Sequence, residues 1–170
     1  IDNVLLIHSL RPHSLTGHMT LYKSVLHNAN NTLPKWYLES IGVYVSYLNG
    51  CDYCVAHHFA GLKRLLEDDG KAERFFSAVQ HNALETCFDR KYFSGMEYAG
   101  KLTEQPRNIG KADVERLGTL GFSDGEVLEI NQVTSYFNYV NRIVLGLGVS
   151  TKGDVLGLSP NDSEDPGNWT

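Results

Sequence analysis

The stretch that decides the fold runs over residues 34–66, and its centre reads Leu48-Asn49-Gly50-Cys51-Asp52-Tyr53-Cys54-Val55-Ala56-His57-His58. Upstream, Pro34 is placed to open a helix over about 34–48, in which Leu38, Ile41, Val45 and Leu48 recur at helical spacing. Residues 41–48 (IGVYVSYL) are rich in β-branched and aromatic side chains, so propensity alone would also accept a strand there. Asn49-Gly50 ends this element, and a second helix is expected from about Cys51 to Leu66, closed by Asp68-Asp69-Gly70.

On a helix turning about 100° per residue with Cys51 at 0°, Cys54 falls at about −60° and His58 at about −20°. The three therefore share one face, while His57 falls at about −120°, on the outer flank of Cys54, and Tyr53 points away. Cys51 stands in the first turn, where unpaired N–H groups and the positive end of the helix dipole stabilise a thiolate. The thiolate is the form that attacks peroxides and disulfides. An imidazole one turn beyond Cys54 can accept or relay a thiol proton. The set suits a cycle of thiolate, sulfenic acid, internal disulfide and re-reduction. Glu39 lies in an otherwise mostly apolar helix; facing the core, burial is expected to raise its pKa and make it a proton acceptor near neutral pH.

Helical periodicity extends outward from this segment. Helices are expected over residues 3–10, from Pro12 along the stripe Leu15, Met19, Tyr22 and Leu26, and over 71–80, 87–102 and 111–119. Ser123-x-x-Glu126 forms a capping-box pattern ahead of a long helix with Val127, Ile130, Val133, Phe137, Val140 and Val144 on one face, stopped by Gly146 and Gly148. Residues 1–149 thus read as one all-α domain of about seven to eight helices, and 150–170 as a polar tail, extended or docked on a neighbouring subunit.

Composition narrows the function. At 170 residues, 42% hydrophobic and 21% charged, the chain suits one globular domain. Fifteen Lys and Arg against twenty Asp and Glu leave a net charge of −5, which argues against a nucleic-acid partner held by phosphate contacts. No apolar run approaches the roughly 18–20 residues of a membrane span. No secretory pattern opens the sequence, and a cytoplasmic location is expected. Three cysteines, an odd and low count, argue against a disulfide scaffold.

Glu39, Cys51, Cys54 and His58 match Glu-x11-Cys-x2-Cys-x3-His. This pattern resembles the motif of the alkylhydroperoxidase D-like group within the carboxymuconolactone decarboxylase superfamily. The flanking LNGCDYCVAHH and, later, residues 121–142 (GFSDGEVLEINQVTSYFNYVNR) are similar to its peroxidase-related members. The resemblance implies an all-α fold assembled as a homo-oligomer (trimer, hexamer or dimer), with the site near subunit contacts. It implies reduction of H2O2 or organic hydroperoxides through the Cys pair, with Glu39 and His58 as proton relay and no cofactor or metal. A lipoyl- or thioredoxin-like protein is the implied thiol reductant. The family's usual account makes Cys54 the attacking sulfur, whereas the helix dipole favours Cys51 as the more acidic one, and the assignment stays open here. The best-known member carries a His immediately before the second Cys; Tyr53 stands there, and Tyr53 and His57 are read as supporting residues around the site.

Other readings compete. The Cys-x-x-Cys with a nearby His could hold zinc, with Cys87 as fourth ligand only if its helix folds back. The two cysteines could be inert and buried, and Cys87, expected to head its own helix, reads as a small packing residue. His8, His13, His18, His27 and His81 show no ligand spacing and read as surface or satisfied core residues. Asn138 and Asn141 share a helix face and could line a pocket or make capping or interface hydrogen bonds. The same scaffold could instead run a decarboxylase- or lactone-type proton transfer from Glu39 and His58, or serve as a non-catalytic redox-sensing module.

Overall fold

A computed structural model describes residues 1–157, all helix and connecting loop. Eight α-helices follow in order: α1 (Asn3–Ser9), α2 (Pro12–Tyr22), α3 (Lys35–Leu48), α4 (Asp52–Leu66), α5 (Asp69–Gln80), α6 (Arg90–Glu104), α7 (Lys111–Thr119) and α8 (Asp124–Leu147). A π-helical turn, Lys23–His27, extends α2. The ambiguous run at 41–48 is helical. Tyr37, Leu38, Ile41, Val43 and Val45 are all nearly inaccessible on α3. A helix apolar on most sides is stable when neighbours cover it, and that burial outweighs local β-propensity. The neighbours are α4, α6 and α8, so α3 is the central element. Gly42 makes the approach of α8 feasible, because a Cβ there would collide with the Phe137 ring.

The α3–α4 junction is a Schellman turn. The Gly50 N–H bonds to the Tyr47 carbonyl and the Cys51 N–H to the Ser46 carbonyl, with Gly50 at φ +68°. Glycine takes this left-handed conformation without the Cβ clash that other residues meet. Cys51 thus closes one helix and is N-cap of the next, and α4 starts at Asp52, one residue later than expected.

Three other boundaries moved. The helix expected at 87 begins at Arg90, because the Asp89 carboxylate accepts the Tyr92 N–H as an N-cap. Cys87 therefore does not head a helix; it follows the 3-10 turn Leu84–Thr86 and is half-buried. Likewise α5 opens at Asp69 under the Asp68 cap rather than at 71. The long helix passes through Gly146 and ends where Gly148 turns left-handed, at φ +63°. Its capping box is present: Ser123 Oγ accepts the Glu126 N–H, and the Glu126 carboxylate accepts the Ser123 N–H.

After α8 the chain crosses back over α1 and α4. Asn3 Nδ2 donates to the carbonyls of Ser150 and Lys152, and Arg64 donates to that of Leu156. The first residues of the polar tail thereby form a strap against the helices, and the remainder of 150–170, from 158, lies outside the described residues.

Candidate active site

The Schellman turn and the first turn of α4 set the two sulfurs 2.6 Å apart as free thiols, close enough for a disulfide to form with a small side-chain rotation. Their access differs. Cys51 is fully buried, whereas Cys54 lines a pocket of about 110 Å³ together with Glu39, Tyr53, His57 and His58. Glu39, 4% exposed on α3, accepts a 2.8 Å hydrogen bond at Oε2 from His58 Nδ1 on α4. The Phe137 ring stands edge-on to His58 at 4.6 Å. All four residues of the Glu/Cys/Cys/His pattern thus meet at the α3–α4 contact. A larger cleft, about 600 Å³ between Trp36, Arg74 and Phe88, contains none of them. Among the described residues, no group of three or more His, Cys, Asp or Glu is placed to hold a metal ion.

No family model matches the sequence, and no curated protein does. Solved structures do match. One is an uncharacterized peroxidase-related protein from Silicibacter sp. TM1040, 26% identical, with a TM-score of 0.77. Another is an alkylhydroperoxidase AhpD core from Ralstonia eutropha JMP134, 25% identical, with a TM-score of 0.78. Each alignment covers 88% of this chain and 76% of the other. The chain has the alkylhydroperoxidase D-like fold. That likeness is consistent with a member of the carboxymuconolactone decarboxylase superfamily. The debrominase Bmp8, solved with 2,3,4-tribromopyrrole, shares the fold alone at 17% identity and a TM-score of 0.75, over 88% of this chain and 76% of its own.

The electrostatics of the site differ in one respect from the expectation drawn from the sequence. Burial pushes the Glu39 pKa up, but the charge and hydrogen bond of His58, with His27 and Lys35 beyond, outweigh it and hold the carboxyl below its ordinary value. Glu39 is therefore an ionised group that orients His58, not a neutral-pH proton acceptor in its own right. The hydrogen bond from the Cys54 thiol lowers the Cys51 pKa against burial, helped by the Cys54 backbone N–H. The same contact raises the Cys54 thiol, and burial adds to it. The first proton thus leaves Cys51, as its place at the helix start suggests, while the sulfur open to the pocket is Cys54.

Several neighbours had no decisive signal in the sequence. Asn141 on α8 is fully buried; it accepts from Asn49 at 2.9 Å, donates to Ser46 at 3.0 Å, and favours the thiolate of both cysteines. Asn138 also accepts from Asn49, so both asparagines tie α8 to the Schellman turn. Tyr53, placed away from the cysteine face by azimuth, lines the pocket all the same, its ring 4.6 Å from that of His57. The strap explains this, because Tyr53 donates a 2.7 Å hydrogen bond to Asp154. His18, read from the sequence as unremarkable, is buried at the pocket wall and stacked on His8 at 4.1 Å. Burial, and then the charge of His8, lower the His18 pKa to about 4.

Proposed function

We propose that the chain is a thiol peroxidase that reduces H2O2 or an organic hydroperoxide through Cys54 and Cys51. The observation that carries the reading is a sulfur open to a pocket it shares with a carboxylate–imidazole pair, with a second sulfur 2.6 Å behind it. Access decides between the sulfurs: Cys54 attacks, because a peroxide in the pocket meets it and not the enclosed Cys51. The pair titrates as a unit. Transfer of the Cys54 proton to the Cys51 thiolate, or to His58 held by Glu39, places the negative charge on the attacking sulfur.

In the first step the S–O bond forms and the O–O bond breaks, leaving Cys54 as sulfenic acid and releasing water or an alcohol. The Cys51 sulfur then attacks Cys54; the S–S bond forms, the S–O bond breaks, and the hydroxyl leaves as water with the Cys51 proton. A dithiol protein of the lipoyl or thioredoxin kind returns both sulfurs to thiols, and the chain works as a homo-oligomer.

A thiol titration before and after one equivalent of peroxide tests this. Loss of two thiols per chain, restored by dithiol and abolished in Cys54→Ser, is the expected result. No loss refutes it. Retained turnover of a lactone acid after double Cys→Ser substitution would favour proton transfer from Glu39 and His58 instead.

A further inference from the structure

A second carboxylate–imidazole pair adjoins the pocket: His57 lines it beside Cys54, and Asp154 holds His57 from outside the lining. Asp154, from the strap after α8, has a side chain only 1% exposed. Its Oδ2 lies 3.1 Å from His57 Nε2 and accepts the Tyr53 hydroxyl at 2.7 Å, and both of its oxygens take the Asn3 backbone N–H, at 3.1 and 3.2 Å. Burial pushes its pKa up, but the donors from Tyr53, Asn3 and His57 outweigh this and keep it ionised. An ionised carboxylate can only accept, so His57 Nε2 carries the hydrogen and Nδ1 is the nitrogen left to exchange a proton. Asp2 Oδ2 lies 4.0 Å from that Nδ1, and Asp2 is partly exposed at the same pocket wall, which gives the ring a route to solvent protons.

Peroxide reduction moves a proton at two atoms, and two imidazoles, His57 and His58, line the pocket beside Cys54. Cys54 must lose a proton before attack, and the departing oxygen must gain one. We propose that the pairs divide this work: Glu39 and His58 serve the thiol, while His57, oriented by Asp154, gives its Nδ1 proton to the departing oxygen. As the Cys54 sulfur bonds to the distal oxygen and the O–O bond breaks, the electron pair goes to the proximal oxygen. That oxygen takes the proton from the His57 imidazolium and leaves as the alcohol. Neutral His57 regains a proton from solvent past Asp2. His57 is then a catalytic residue and Asp154 a positioning residue. This rests on the thiol-peroxidase reading above.

The leaving group separates this role from simple packing. Peracetic acid releases acetate, a stable anion that needs no proton donor, whereas tert-butyl hydroperoxide releases a strongly basic alkoxide. First-turnover oxidation of Cys54 by each oxidant is measured in the wild type, Asp154→Asn and His57→Gln. The tert-butyl hydroperoxide rate is expected to fall about a hundredfold, the scale of general acid catalysis, and the peracetic acid rate to stay within about twofold. The peracetic acid rate also reports that each variant is folded. Equal losses with both oxidants, no loss with either, or a wild type active on peracetic acid alone overturns the assignment. A wild type that reduces neither oxidant overturns the thiol-peroxidase reading itself.

Discussion

His58→Ala leaves the Glu39 carboxylate enclosed without its imidazole. Glu39 is 4% exposed and its bond to His58 is 2.8 Å, so little water can replace the lost partner. Removing one member of a buried pair costs about 3–5 kcal/mol. The His58 side chain keeps 16% of its surface, which places the expected loss at the low end, about 3 kcal/mol. For a chain of this size that corresponds to a fall in Tm of about 6–12 °C. Glu39→Gln keeps the shape and removes the charge, so it forfeits only the charge-assisted part of the bond, about 1–2 kcal/mol. The double variant holds no orphan carboxylate, and its loss should fall short of the sum of the singles by about 1–3 kcal/mol. The dependence on pH follows from the depressed Glu39 pKa. Its contribution is whole above the ordinary value of 4.5 and is lost as pH falls through the lower folded value. The gap between wild type and Glu39→Gln should therefore close in acid. Urea denaturation of the four proteins at neutral and acid pH measures all of this. Additive single effects, or a gap that widens in acid, would refute the reasoning.

Three further outcomes follow from the packing. Gly42→Ala drives a Cβ into the Phe137 ring and should cost about 1–3 kcal/mol by urea denaturation; an unchanged midpoint would mean that α8 does not rest on Gly42. Asn141→Leu strips Asn49 and Ser46 of a buried partner and Cys51 of a favourable dipole, so stability should drop by about 1–3 kcal/mol. The ultraviolet thiolate titration of that variant should also move upward, and an unmoved titration would disprove the contact with the pair. Ser123→Ala breaks the capping box of α8 and should lower stability by about 1 kcal/mol with the thiol titration unmoved, while a change in that titration would show that the cap is coupled to the site.

Local rules read much of this chain correctly. The capping box at Ser123 and Glu126 and the helix over 111–119 depend only on residues a few positions apart. Two local signals compete near Cys87, and the Asp89 cap, whose carboxylate accepts the Tyr92 N–H, sets the start of α6. Local rules failed where burial overrode propensity: residues 41–48 have strand-like side chains, and enclosure by α4, α6 and α8 makes them helix. The azimuth of Tyr53 was right for α4 in isolation, but the strap brought Asp154 to its hydroxyl and made it part of the pocket wall.

The sequence by itself determined the face of α4. Cys54 and His58 lie four positions apart within α4, and helical geometry relates such residues whatever surrounds them. It also placed Cys51 at a helix start. Tertiary structure decided which sulfur meets the pocket, that Glu39 is ionised rather than neutral, and that Asp154 reaches His57. Those outcomes depend on burial and through-space charge. The partners concerned are 19 residues apart for Glu39 and His58 and 97 apart for His57 and Asp154, beyond the reach of any local spacing.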